Sequence, residues 1–262
     1  MTNKIQSRRI KVGGLDIHYL TGGQGEPLVI LHGGSGGARG WVNSLAELSE
    51  NYTIYLPDLP GFGDSQSLDG DYHIPELAEF VGEFSRELGL ESFHLMGHSL
   101  GGGIALSYTL KSQQRIKKLV LVSSMCLGEE IAMWVRFLSG TVLCRIAGRP
   151  AILVTRFIKW LATFFYAPAE FMEPFCRATI HLGASLTTFT RQTTVFLNQL
   201  SQIMVPTLVV WGARDPIVPA RQAYAAAQLI PDCRLKVFED RGHNVHRDEV
   251  REFSRVLNGF LG

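Results

Sequence analysis

The sequence predicts an α/β fold, a mostly parallel central sheet flanked by helices, with an inserted α-helical segment. Three observations predict it. Short β-branched runs alternate with helical patterns, and several of the runs, such as 28–31 and 119–122, are uninterrupted apolar stretches, as strands are when helices cover both faces of a sheet. The alternation stops over residues 125–205 and then resumes. Hydrophobic residues make up 46% of the 262 and charged ones 19%, which is enough to bury a large core.

Segments 8–12 and 15–20, split by Gly13 and Gly14, form an opening hairpin. Segments 27–31 and 53–56 are buried strands with a helix through 41–48 between them. Ile74, Leu77, Phe80, Phe84 and Leu88 recur at helical spacing and give one apolar face. A strand at 93–96, a helix at 100–111 and a strand at 119–122 follow. The pattern resumes with a strand at 207–211, a helix near 222–229 and a strand at 235–238. A last helix carries Val250, Phe253, Leu257 and Phe260 on its core face. Residues 125–205 are mostly helical in pattern, interrupted by Pro150, Pro168 and Pro174, and too long for an ordinary crossover. They are expected to form a cap inserted into a core made of 1–124 and 206–262.

Composition removes several function classes. The 25 basic and 24 acidic residues leave a net charge of +1, which gives no basic field for nucleic acid. No run of about 18 uncharged apolar residues occurs, so no transmembrane segment is expected. The amino terminus is polar and basic, without the apolar stretch of a signal peptide. Cys126, Cys144, Cys176 and Cys233 are scattered, with neither zinc nor redox spacing, and a reducing, cytoplasmic location is expected. Neither a dinucleotide fingerprint nor a phosphate loop is present, so no cofactor and no metal are expected. The charge is uneven along the chain. Residues 131–169 hold Arg136, Arg145, Arg149, Arg156 and Lys159 and no acid. A solvated helix face is the ordinary explanation. The functional ones are an anionic substrate, or peripheral contact of the cap with an acidic membrane at about 1 kcal/mol per basic residue.

The chemical signal is Gly97-His98-Ser99-Leu100-Gly101, a G-x-S-x-G motif between a predicted strand and a predicted helix. A nucleophile on a tight strand-to-helix turn needs neighbours without side chains, and the helix amino terminus stabilises negative charge beside it. A capping serine among packing glycines is the plain structural alternative. Ser99 needs a base, and the base needs an orienting acid. Asp215 stands just past one predicted strand and His243 just past the next, at the carboxyl ends where open α/β sheets place their sites. A turn residue before Pro216 and an inconsequential loop histidine are the corresponding alternatives. His246 is the rival base and Asp240 the rival acid. His18 and His73 are expected to be structural.

With the order Ser99, Asp215, His243, the chain resembles the α/β-hydrolase superfamily over nearly its whole length, in the serine esterase and lipase-like branch with a helical cap. His32-Gly33-Gly34 is similar to that family's oxyanion loop, and the stretch from Asp58 to Ser65 to its segment after the fourth strand. The resemblance implies that Ser99 attacks, His243 is general base then acid, and Asp215 holds the imidazolium. It implies that the N–H groups of Gly34 and Leu100 hold the oxyanion, at about 3 to 4 kcal/mol per donor, and that His32 orients the loop. His98, the variable residue of the motif, faces away from the base in the family's geometry and is expected to line the substrate pocket or pack. Trp134, Phe137 and Trp160 of the cap are expected to line an apolar acyl pocket. Serine at this position implies acyl transfer, with a small to medium hydrophobic ester or thioester as the substrate. Carbon–carbon bond hydrolases of ring-cleavage products are the alternative, but His98 replaces their usual Asn and Asn244 their usual Trp. A ligand-binding or interaction protein on a hydrolase fold is the alternative of another class.

Overall fold

The computed structural model describes residues 4–34, 37–68, 73–132 and 191–262. Eight strands run in the order β1-β2-β4-β3-β5-β6-β7-β8. They are β1 (Gln6–Val12), β2 (Leu15–Gly22), β3 (Glu26–Leu31), β4 (Tyr52–Pro57), β5 (Phe93–His98), β6 (Ile116–Val122), β7 (Thr207–Gly212) and β8 (Cys233–Phe238). β2 is antiparallel to β1 and β4, and every other pairing is parallel. The helices are α1 (Val42–Leu48), α2 (Ile74–Glu87), α3 (Leu100–Ser112), α4 (Arg221–Leu229), α5 (Val245–Asp248) and α6 (Val250–Leu261).

The uninterrupted apolar strands serve two cores at once. Successive side chains alternate across a strand, so Val29 and Leu31 join Phe84 and Ile104 on one face, while Leu28 and Ile30 join Trp41, Leu45, Phe253 and Leu257 on the other. Each such fully buried side chain stabilises the fold by about 1.5 to 3 kcal/mol.

The helix expected from residue 41 opens earlier, with a tight turn at Ala38–Trp41. The carboxylate of Asp58, just past β4, accepts the Ala38 N–H at 2.6 Å and fixes that turn from a distant part of the chain.

Two chain segments clasp each other beyond β6. Gln192 N–H donates to the Glu129 carbonyl at 2.8 Å, and its side-chain oxygen accepts the Cys126 N–H at 2.9 Å. Its amide nitrogen donates to Gly128 and Glu130 carbonyls. The expected cap falls mostly on residues 133–190, which lie outside the described residues, together with Trp134, Phe137 and Trp160. No helix among the described residues is long and apolar enough to cross a membrane.

Candidate active site

Parallel pairing sets the carboxyl ends of β3, β5, β6, β7 and β8 side by side, with Leu31 beside Gly97, His98 beside Val122 and Gly212 beside Phe238. The residues that follow these ends are therefore brought to one edge.

Ser99 sits between β5 and α3 with φ 54° and ψ −115°, a left-handed conformation that a non-glycine residue holds only when its surroundings enforce it. The enforcement is steric. A Cβ on Gly97 would come within 2.2 Å of the Gly101 carbonyl, and one on Gly101 within 2.2 Å of the Leu31 carbonyl. The motif's glycines are thus close approaches of backbone to backbone. Two further non-glycine residues take positive φ nearby, Ser123 (45°) and Cys126 (70°), and the Met125 N–H donates to the Ser99 carbonyl at 3.0 Å. Sequence reasoning missed this second strained turn. Burial pushes the Cys126 thiol up to about 12, so it is no rival nucleophile.

His243 Nδ1 donates to Asp215 Oδ2 at 2.7 Å. The other oxygen of Asp215 accepts the N–H groups of Ile217 and Val218 at 2.8 and 3.0 Å. The buried carboxylate is thereby fixed, and the neutral imidazole carries its proton on Nδ1, leaving Nε2 as the acceptor. The loops after β7 and β8 cross so tightly that a Cβ on Gly212 would come within 2.1 Å of the Gly242 carbonyl. No hydrogen bond among the described residues joins the Ser99 hydroxyl to His243. In unliganded sites such contacts are commonly long and tighten with substrate.

The loop after β3 lies against Ser99, since a Cβ on Gly33 would meet His98 Nδ1 at 2.7 Å and Ser99 Cβ at 3.2 Å. The neighbouring position is open, because a Cβ on Gly34 would meet nothing within 4 Å. Leu100 is the first residue of α3, so its N–H has no acceptor within the helix. His32 Nδ1 donates to the Gly33 carbonyl at 2.7 Å, while its Nε2 accepts the Leu59 N–H at 2.9 Å. Burial holds its pKa below the usual 6.5.

His98 differs from expectation in its direction only. Rather than facing away from the base, its Nε2 donates to the main-chain carbonyl of His243 at 3.0 Å. Its ring packs against His243 and His246 at centroid distances of 4.8 and 4.4 Å, only 4% exposed. The side chain packs against the histidine loop, one of the two roles expected of it. His246, the rival base, stacks on Trp41 at 4.0 Å, and its carbonyl accepts the Ser44 hydroxyl at 2.6 Å. Burial above all holds the pKa of both histidines well below 6.5, helped at His246 by the nearby Arg247 guanidinium. Asp240 pairs with Arg214 at the surface, away from His243, and Arg241 pairs instead with Glu249. The His73 N–H opens α2 by donating to Glu76.

His18, Asp58 and Asp64 approach one another as metal ligands do. Their atoms are already engaged, because Asp58 accepts Ala38 N–H, Asp64 N–H and His18 Nδ1–H, and Asp64 pairs with Arg39. These contacts give each of the three side chains a protein partner.

Comparisons with known proteins agree with this architecture. The family model described as "Alpha/beta hydrolase family" matches residues 28–256. The dihydrolipoyllysine-residue acetyltransferase component of the acetoin cleaving system of Cupriavidus necator is 30% identical over 266 residues, which cover 96% of this chain and 68% of that one. The 2-hydroxy-6-oxo-6-phenylhexa-2,4-dienoate hydrolase of Comamonas testosteroni is 29% identical over 261 residues, covering 94% and 91%. Among solved structures, a thermophilic esterase from Thermogutta terrifontis superposes with a TM-score of 0.79 at 20% identity over 98% of each chain, a likeness of fold. A strained serine after β5, an Asp–His pair after β7 and β8, and a family match spanning all of them make this chain a member of the alpha/beta hydrolase family, and a hydrolase.

Proposed function

We propose that the chain is a serine hydrolase that cleaves esters or thioesters of small to medium hydrophobic acyl groups through an acyl-enzyme intermediate. The observation that carries this reading is the 2.7 Å bond from His243 Nδ1 to the buried Asp215, which frees Nε2 to take a proton at the edge where Ser99 is held. Ser99 Oγ attacks the acyl carbon and its proton passes to His243 Nε2. The same proton then leaves with the alcohol or thiol, and water repeats the cycle on the acyl-enzyme. The N–H groups of Leu100 and Gly34 receive the oxyanion. In this reading Trp134, Phe137 and Trp160 line the acyl pocket, residues 125–205 form the cap, and the enzyme works in the cytoplasm without cofactor or metal.

The test is a panel of esters and thioesters of graded acyl length, with Ser99→Ala as control. Wild type is expected to turn over several members, best with medium acyl chains, and the variant to lose that turnover. Equal hydrolysis by both proteins would overturn the assignment. Relatives named for dienoate hydrolysis support a second reading, carbon–carbon bond cleavage, so a ring-fission dienoate belongs in the same panel. Turnover of that compound alone would select it.

A further inference from the structure

A second serine, histidine and aspartate are joined in series, none of them shared with the Ser99 site. The Ser7 hydroxyl lies 2.8 Å from His18 Nε2, and His18 Nδ1 lies 2.7 Å from Asp58 Oδ2. His18 and Asp58 are buried, whereas Ser7 is exposed on β1. The proton positions follow from the partners. An ionised carboxylate only accepts, so His18 Nδ1 carries the proton, Nε2 of the neutral ring is the acceptor, and the Ser7 O–H donates to it. Asp58 cannot swing away, because Ala38 N–H and Asp64 N–H hold its two oxygens at 2.6 and 3.0 Å.

The strand register supplies a further group. His18 turns its main-chain N–H to Ser65 Oγ and its carbonyl to the Asp58 N–H, both on the side away from β1. Its partner Arg9 therefore turns its own N–H and carbonyl outward, and so does Ser7 two residues earlier, opposite Leu20. Among the described residues β1 is the outer strand, and the Ser7 N–H points to that outer edge.

We propose that Ser7 is a second activated nucleophile, a surface site that takes acyl or phosphonyl groups from small activated electrophiles. Ser7 Oγ bonds to the acyl carbon while its proton moves to His18 Nε2. Collapse of the adduct breaks the bond to the leaving group, which departs with that proton and leaves an ester on Ser7. Ser7 is exposed on its strand, so reactivity follows the leaving group rather than the acyl chain.

The site is independent of Ser99 and is tested in its absence. The folded Ser99→Ala protein is treated with a fluorophosphonate probe, and the adduct is located by mass spectrometry. General-base assistance in enclosed sites is worth about 100- to 10,000-fold. For this open site a labelling rate on the order of tenfold above other exposed serines is expected, lost in Ser99→Ala/Ser7→Ala and reduced in Ser99→Ala/His18→Gln. Labelling of the urea-unfolded chain gives the unassisted rate and does not depend on any variant folding. Absence of label from Ser7 in folded Ser99→Ala, or equal rates in folded and unfolded chains, would overturn the proposal.

Discussion

His98 Nε2 donates to the main-chain carbonyl of His243 at 3.0 Å, so the residue before the strained serine holds the backbone of the histidine that would serve it. Trp41 and Ser44 secure the same loop through His246. In His98→Ala the carbonyl loses its donor at a buried site, a change that costs about 1 to 3 kcal/mol. We expect kcat on the best ester to fall about 10-fold with KM little changed, and His98→Gln, which keeps a donor, to recover part of the loss. Steady-state kinetics on the three proteins checks this.

Asp215→Asn separates holding from charge. The Asn oxygen can still accept from Ile217 and Val218, so the loop and the melting temperature should be kept. The amide no longer selects the tautomer of His243 or stabilises its cation, and kcat is expected to fall by about 1,000- to 10,000-fold. Parallel thermal melts and burst kinetics distinguish this from unfolding.

Stability should decline on the acid side of neutrality. Burial lowers the pKa of His32, His98 and His246 from 6.5 in the folded chain. Above that ordinary value both states are neutral and nothing is lost. As pH falls below it the unfolded chain takes up protons that the folded chain refuses, so stability drops from the unfolded value down towards the lowered folded ones. Each proton contributes a slope of about 1.4 kcal/mol per pH unit. Urea melts at pH 7.5 and 5.5 should show this decline, and His246→Phe, which keeps a ring against Trp41, should make it shallower.

Neighbouring glycines should respond in opposite ways. Gly101→Ala places a methyl 2.2 Å from the Leu31 carbonyl, and main chain cannot step aside. That variant should lose at least about 3 kcal/mol or fail to fold. Gly34→Ala meets nothing within 4 Å and should melt within a degree or two of wild type. Differential scanning fluorimetry on both decides it.

Periodicity and turn chemistry made most of the fold legible. β5 and α3 were readable because Phe93, Leu95 and Met96 make a mostly apolar run and the glycines after it admit only a tight turn. Asp215 and His243 were readable because each follows a buried strand, although their pairing is a property of sheet order, which puts β7 beside β8. The His98 contact was not readable. It joins residues 145 positions apart through a main-chain carbonyl, and carbonyls leave no mark on a sequence. The same holds for Ser7 and His18, which meet only because the hairpin register turns both to one face, and for the strained Ser123 and Cys126, which are ordinary residue types in an unusual conformation.

The clasp at Gln192 bears on how this chain can change. Glu129 and Gln192 are bonded directly, main chain to main chain, which closes the chain between them into a loop at that point. The entropy of closing such a loop grows only slowly with its length. The stretch between the two residues can therefore lengthen, shorten or be exchanged as a cassette at little entropic cost while the clasp stays in place.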